Sequence, residues 1–255
     1  MAVKVSLKEL IQAGAHFGHQ SKRWNPKMAE YLHSVKDGVH VFDLTQTKVL
    51  LEEALSVLKK TAKEGKKILF LGTKKQAKKK IEEVAKASDS YFVNERWLGG
   101  TLTNFDQIKK SVSKLAEMKS KTEKGEYKSF TKKERLLIER EVARLERFFG
   151  GIADIATTPD LLIIIDIKRE KSAVKEAQMK GIPIVAIVDS NCDPYGIDYP
   201  IPMNDDATRA ISYVLDLMSE AILEGKRKKS SKSKTSSTSS SSRTRKEKSV
   251  EKNKK

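Results

Sequence analysis

The chain has 255 residues and a formal charge of +17 from 51 Lys+Arg against 34 Asp+Glu; 38% of it is hydrophobic and 6% aromatic. No apolar run approaches the ~20 residues that cross a bilayer, and the opening MAVKVSLKELIQAGAHF lacks the basic cap and apolar stretch of a secretory signal. The single cysteine, Cys192, excludes an internal disulfide and a Cys-rich zinc site, and fits a reducing compartment.

In chain order, Leu7, Leu10 and Ile11 predict a short helix over Ser6–Ala13, with Ser6 and Glu9 in a capping-box pattern. Gly14–Met28 reads as irregular, and Val39–Leu44 as a short strand. A helical stripe over Thr45–Glu64 ends at Gly65. Ile68–Leu71 reads as a buried strand, Gln76–Ala87 as a helix and Tyr91–Val93 as a strand. Within 104–149, Ile108, Val112, Leu115 and Met118 form one narrow apolar seam, and Ile138, Val142, Leu145 and Phe149 another. The break at Lys124-Gly125 then predicts two zipped antiparallel helices projecting from the body. This segment holds 13 basic and 8 acidic residues, net +5, and most of these charges read as solvated helix faces.

The runs LLIIID (Leu161–Asp166) and PIVAIVD (Pro183–Asp189) belong to strands covered on both faces. Ser172–Lys180 reads as the crossover helix between them, closed by Gly181. Pro200–Met203 reads as a last strand and Asp206–Glu224 as a last helix. The alternation gives an α/β fold with a parallel, doubly wound sheet of the Rossmann or flavodoxin-like kind. The expected organisation is a globular body over 1–103 and 150–225, a coiled-coil hairpin insertion over 104–149, and a disordered tail over 226–255. That tail has 13 basic and 2 acidic residues (net +11) and ten serines, while residues 1–225 carry 38 basic and 32 acidic (net +6). With one apolar residue, Val250, it cannot offset its chain entropy, and it reads as a polyanion-binding arm or a solubilising tail.

The turn after the first buried strand, FLGTKKQA, has one glycine, Gly72. A dinucleotide fingerprint needs three spaced glycines and a Walker loop two before Lys-Ser/Thr, so neither nucleotide motif is present. What remains is a helix start beside Lys74, Lys75 and Lys78, suited to a phosphate. Asp189-Ser-Asn-Cys-Asp193 imitates half a calcium loop, but Pro194 stands where glycine is needed, so it reads as a turn. His16, His19 and Cys192 could contribute to a metal site, although the two histidines read better as packing or hydrogen-bonding groups. Asp205-Asp206 reads as a capping and dipole pair at a helix start. Two segments interleave cations with aromatic rings: the stretch from His16 through His19, Lys22, Arg23 and Trp24 to Lys27, and Arg96-Trp97 through Asn104. Lys and Arg contact phosphate, and planar groups stack on unpaired bases. The core is the alternative place for each Trp, more so for Trp97.

The motifs AGAHFGHQSKRWNPKM, FLGTKKQA, VNERWLGGTLTNF, TPDLLIIID, GIPIVAIVDSNCDP and IDYPIPMNDDATRAI, in this order, resemble the bacterial-type small-subunit ribosomal protein S-two family. The resemblance spans nearly all of 3–224. It implies a non-enzymatic structural constituent of the cytoplasmic small ribosomal subunit, lying between head and body and contacting 16S-type rRNA and other small-subunit proteins. In bacteria it further implies a docking platform for the mRNA-binding ribosomal protein S-one. No cofactor, metal, membrane or small-molecule substrate is implied. The regions it turns toward RNA hold His19, Lys22, Arg23, Trp24 and Lys27 in the N-terminal loop, then Lys74, Lys75, Lys78, Arg96 and Asn104. On the hairpin they hold Lys109, Lys110, Lys132, Lys133 and Arg135.

Overall fold

The structure is a computed structural model that describes the backbone of residues 4–241 and side chains as far as residue 228. It is an α/β architecture built on a five-stranded parallel sheet. The strands are β4 (Ile68–Leu71), β5 (Tyr91–Val93), β6 (Leu161–Ile165), β7 (Ile184–Val188) and β8 (Tyr199–Pro202), in spatial order β5-β4-β6-β7-β8. Every residue of β4, β6 and β7 is buried, as their unbroken apolar runs require of central parallel strands.

The order reverses between β4 and β6. The chain therefore leaves β4 toward one edge and β6 toward the other, and right-handed crossovers put α3 (Lys78–Ala87) and α6 (Lys171–Lys180) on opposite faces. The last helix, α7 (Thr208–Ser241), packs on α3 and along α2 (Leu44–Glu64). Helix α2 starts at Asp43, whose carboxylate accepts from Thr45 N at 2.9 Å, and ends at Gly65 in the left-handed conformation. Gly225 lets the two long helices approach: a Cβ there would lie 2.4 Å from the Lys59 carbonyl oxygen.

Four local features differ from the sequence reading. Gly14–Met28 is not wholly irregular. It contains β1 (Phe17–Gln20), which joins β2 (Leu32–Lys36) and β3 (Val39–Phe42) in a small antiparallel sheet of order β1-β3-β2. Its β2–β3 turn is Asp37-Gly38, both with positive φ (52° and 75°), the Asp-Gly signal of a tight hairpin. Helix α1 (Leu7–Gln12) has half of its capping box: Ser6 Oγ accepts from Glu9 N, while Ser6 N donates to the Tyr213 hydroxyl at 3.1 Å. Helix α3 begins at Lys78 rather than Gln76, because residues 74–77 are used in turns that send Ala77 N and Lys78 N to the Lys74 carbonyl. Finally, the tail assigned as disordered from residue 226 is helical to Ser241. The helix continues from turns already packed on α2, so its nucleation cost is met, although the Ser and Thr residues extend it less favourably than Ala or Leu would. Residues 242–255 of the expected tail lie outside the described residues.

Between β5 and β6 the chain forms α4 (Phe105–Glu123) and α5 (Lys132–Phe149). Ile108, Val112 and Leu115 are buried on α4, and Leu145 and Phe149 on α5, all at the seam positions. Ion pairs Lys114–Glu141 (3.4 Å) and Lys119–Glu146 (2.6 Å) link the two helices. A complete capping box at Thr131 and Glu134 starts α5.

Candidate nucleic-acid interface

The loop that follows β1 carries Lys22, Arg23 and Trp24. Its ends are fixed on both sides. Ser21 N donates to the Gly38 carbonyl (2.9 Å) and Arg23 N to that of Gln20 (2.8 Å), while Asn25 N reaches the Ser190 carbonyl beyond β7 (2.8 Å). Asn25 then caps a 3₁₀ turn over Pro26–Tyr31 by accepting from Lys27 N (3.0 Å). Gly18 permits the close approach to β7, since a Cβ would sit 2.8 Å from Ser190 Oγ. Trp24 is half-buried with one ring face stacked on His40, centroids 4.6 Å apart. Burial lowers the His40 pKa, so this is a stack of two uncharged rings. Lys22 and Arg23 are exposed and make no ion pair among the described residues.

His19 points the other way. Its Nδ1 lies 2.9 Å from Asp189 Oδ1 and its Nε2 lies 3.7 Å from Asp206 Oδ2, while its backbone N–H donates to Ser190 Oγ at 2.7 Å. The hydrogen bond to Asp189 raises the His19 pKa against the opposing effect of burial. His19 is thus a clasp between the loop and the C-terminal end of β7.

That clasp belongs to a larger charged group at the C-terminal ends of the parallel strands, where open α/β sheets form their crevice. Lys74, just after β4, meets Asp205 and Asp206 at 2.6 Å and Asp166 at 3.6 Å. Burial pulls the Lys74 pKa down, but these carboxylates outweigh it and hold it above the usual lysine range. Burial, then the charges of Asp189 and Asp166, push Asp205 up to about 8 despite Lys74. Asp189 goes down: its burial is outweighed by His19 and by the Asp205 N–H. Asp205-Asp206 is therefore not a capping pair; α7 starts two residues later, and the buried Asp205 and the exposed Asp206 both bond Lys74.

Ligand atoms of His19, Asp189 and Asp206 lie within 4.8 Å of one another, as do those of Asp166, Cys192 and Asp205, with His16 in neither group. Burial, and then the charges of Asp205 and Asp166, push the Cys192 thiol up to about 12, so it stays protonated at neutral pH and is a poor ligand or nucleophile.

The remaining candidates divide by their partners. Lys27 pairs with Asp193 (2.6 Å) and Lys78 with Glu95 (2.9 Å). Lys75, Arg96, Lys109, Lys110, Lys132, Lys133 and Arg135 are exposed and carry no ion pair among the described residues. Asn104 is exposed at the start of α4 and makes no side-chain cap bond. Trp97 is buried, 7% exposed, and donates to Glu176 Oε1 at 3.0 Å. Glu176 was invisible in the sequence: its carboxylate also accepts from the backbone N–H groups of Gly100, Leu102 and Thr103 at 2.9–3.1 Å. The one available signal was a charged residue on the apolar stripe of α6, beside Ala173 and Ala177.

The profile of a family described as ribosomal protein S2 matches residues 10–225. The chain belongs to the ribosomal protein S2 family. Over 220 residues it is 48% identical to the small ribosomal subunit protein uS2 of Jannaschia sp. (strain CCS1), covering 86% of this chain and 80% of that protein. Over the same length it is 50% identical to the uS2 of Rhodopseudomonas palustris (strain BisA53), covering 86% and 67%. The ribosomal protein S2 match takes in the clasped loop, the charged cluster, α4 and α5, and ends at Gly225.

Proposed function

We propose that the protein is a structural, non-catalytic constituent of the small ribosomal subunit in the cytoplasm, binding 16S-type rRNA between head and body alongside other small-subunit proteins. The observation that carries this reading is the family match over 10–225 together with an exposed Lys22-Arg23 pair on a loop clasped to the α/β body. A clasped loop under exposed cations suits recognition of RNA by backbone and shape. The crevice that a nucleotide enzyme would use is instead packed with the chain's own Lys74, His19 and carboxylates. Its units are a body over 1–103 and 150–225, and an arm over 104–149 that forms an antiparallel coiled coil. Its RNA-facing cations are Lys22 and Arg23 with Trp24, then Lys75, Arg96, Lys109, Lys110, Lys132, Lys133 and Arg135. Lys27 and Lys78 join them only by exchanging their acidic partners, whereas Lys74 and His19 hold the scaffold. Where the organism has ribosomal protein S-one, the body serves as its docking platform.

Binding should weaken steeply with salt, by roughly 10³–10⁵ between 50 and 200 mM if 6–10 phosphates are neutralised on a duplex. The test is Lys22→Ala with Arg23→Ala. Both side chains are exposed, so the melting temperature should hold while incorporation into small subunits falls. Full occupancy of subunits by the double variant would refute the role of the loop.

A further inference from the structure

A second basic surface adjoins the loop that carries Lys22 and Arg23, whose Asn25 lines it. Between α6 and the β7–β8 connection is a cleft of about 310 Å³, large enough for a nucleoside-sized group. Lys171, Val174, Lys175 and Gln178 line it from one face of α6, at the spacing that stacks side chains along a helix. Lys168 lines it from the end of β6. Lys168, Lys171 and Lys175 are all exposed and carry no ion pair among the described residues. Asp193 also lines the cleft but is paired with Lys27 at 2.6 Å, so the three neighbouring lysines give the cleft an excess of positive charge that suits an anionic partner.

At the rim stands Tyr195, 85% exposed, the most exposed large apolar side chain described. It is not a loose ring. Tyr195 N donates to Asp193 Oδ1 (3.0 Å), and the next residue, Gly196, gives its carbonyl to Gln178 Nε2 (3.0 Å) on α6. Gly196 has φ +80°, and a Cβ there would meet Gln178 Nε2 at 2.5 Å, so the loop is fastened to the helix that carries the lysines. Lys27 Nζ lies 5.6 Å from the ring centroid.

We propose that this cleft binds an unpaired stretch of RNA, its phosphates on Lys168, Lys171 and Lys175 and one base stacked on Tyr195. An acidic peptide would use the lysines and leave the ring in water; a nucleotide uses both. The stack and the phosphates together give affinity with little sequence preference. The proposal rests on the RNA-binding reading above and adds to it a second contact surface, separate from Lys22 and Arg23.

The experiment titrates the full chain with a fluorescent oligouridine strand at several salt concentrations. Lys168→Ala, Lys171→Ala and Lys175→Ala together should weaken binding and reduce the slope of log K against log salt by about 2, at roughly 0.7 per single-strand phosphate. Tyr195→Ala should weaken binding about tenfold with the slope unchanged, and Tyr195→Phe should bind normally. Unaltered binding by both cleft variants, with the Lys22/Arg23 variant weakened, would overturn this inference and leave the loop reading standing. No binding by the unaltered chain would count against both. Displacement by a mononucleotide as effective as by the strand would make the cleft a small-molecule site and overturn the RNA assignment. All substituted side chains are exposed, and a thermal melt on each variant checks that the fold is kept.

Discussion

Asp205 is a carboxyl with 2% of its side chain exposed, facing Asp189 and Asp166. With its folded pKa raised to about 8 from an ordinary 3.8, folding takes up a proton over that interval. Stability is then greatest at low pH within the window and is lost as pH rises toward 8, at up to roughly 1.4 kcal/mol per unit. His19, also raised, adds in the same direction above 6.5. The melting temperature should therefore fall between pH 6 and 8.5. Asp205→Asn, which fixes the neutral form, should flatten that fall, and a melt series across pH shows it; an equal fall in the variant would contradict the assignment. Lys74 makes the complementary case. Removing a partly buried cation that bonds Asp205 and Asp206 and faces Asp166 costs about 3–5 kcal/mol. Lys74→Ala should lower the urea midpoint markedly, while Lys75→Ala, one residue on and exposed, should leave it alone. Adjacent lysines in one motif thus do different work, and no spacing rule separates them.

At the scale of elements, the strands and helices of the parallel sheet were legible because apolar runs and 3.6-residue stripes report burial directly. The joints between elements were not. Glu176 on α6 binds the Trp97–Thr103 segment that leads into α4, across 73 to 79 residues of sequence. Periodicity carries no record of such a partner. Burial alone would raise the Glu176 pKa, but the N–H groups of Leu102, Trp97, Gly100 and Thr103 outweigh it and hold the carboxylate ionised. Glu176→Ala should strand the buried Trp97 and Leu102 donors, with those of Gly100 and Thr103, and cost about 3 kcal/mol in chemical denaturation. Glu176→Gln, which keeps an acceptor, should cost less. Amide exchange should rise first at Gly100, Leu102 and Thr103, in the segment that leads into α4; protection unchanged there would refute the anchoring role. Of the small antiparallel sheet the sequence reading found only β3, expected over Val39–Leu44, and missed β1 and β2 for a related reason. β1 and β2 are short and mostly exposed, so they carry no clear alternation, and Asp37-Gly38 was the remaining sign of the hairpin.

The whole molecule separates stability from charge along its last helix. The described packing of α7 includes Ile222 and Gly225 in the core contact with α2, and Lys226 at 2.9 Å from Asp89. Residues 229–255 hold ten basic and two acidic residues, so their net charge is 10 − 2 = +8, close to half of the chain's +17. Apolar burial determines the melting temperature, whereas phosphate neutralisation determines the salt dependence of RNA binding. A chain ending at Lys228 should therefore unfold at the temperature of the full chain. It should also bind rRNA less tightly at low salt and with a shallower log K–log salt slope, the difference vanishing as salt screens the missing cations. Calorimetry and salt-dependent titration on the two chains measure the two properties independently. A lowered melting temperature with an unchanged slope would mean that this segment supports the fold rather than the contact with RNA.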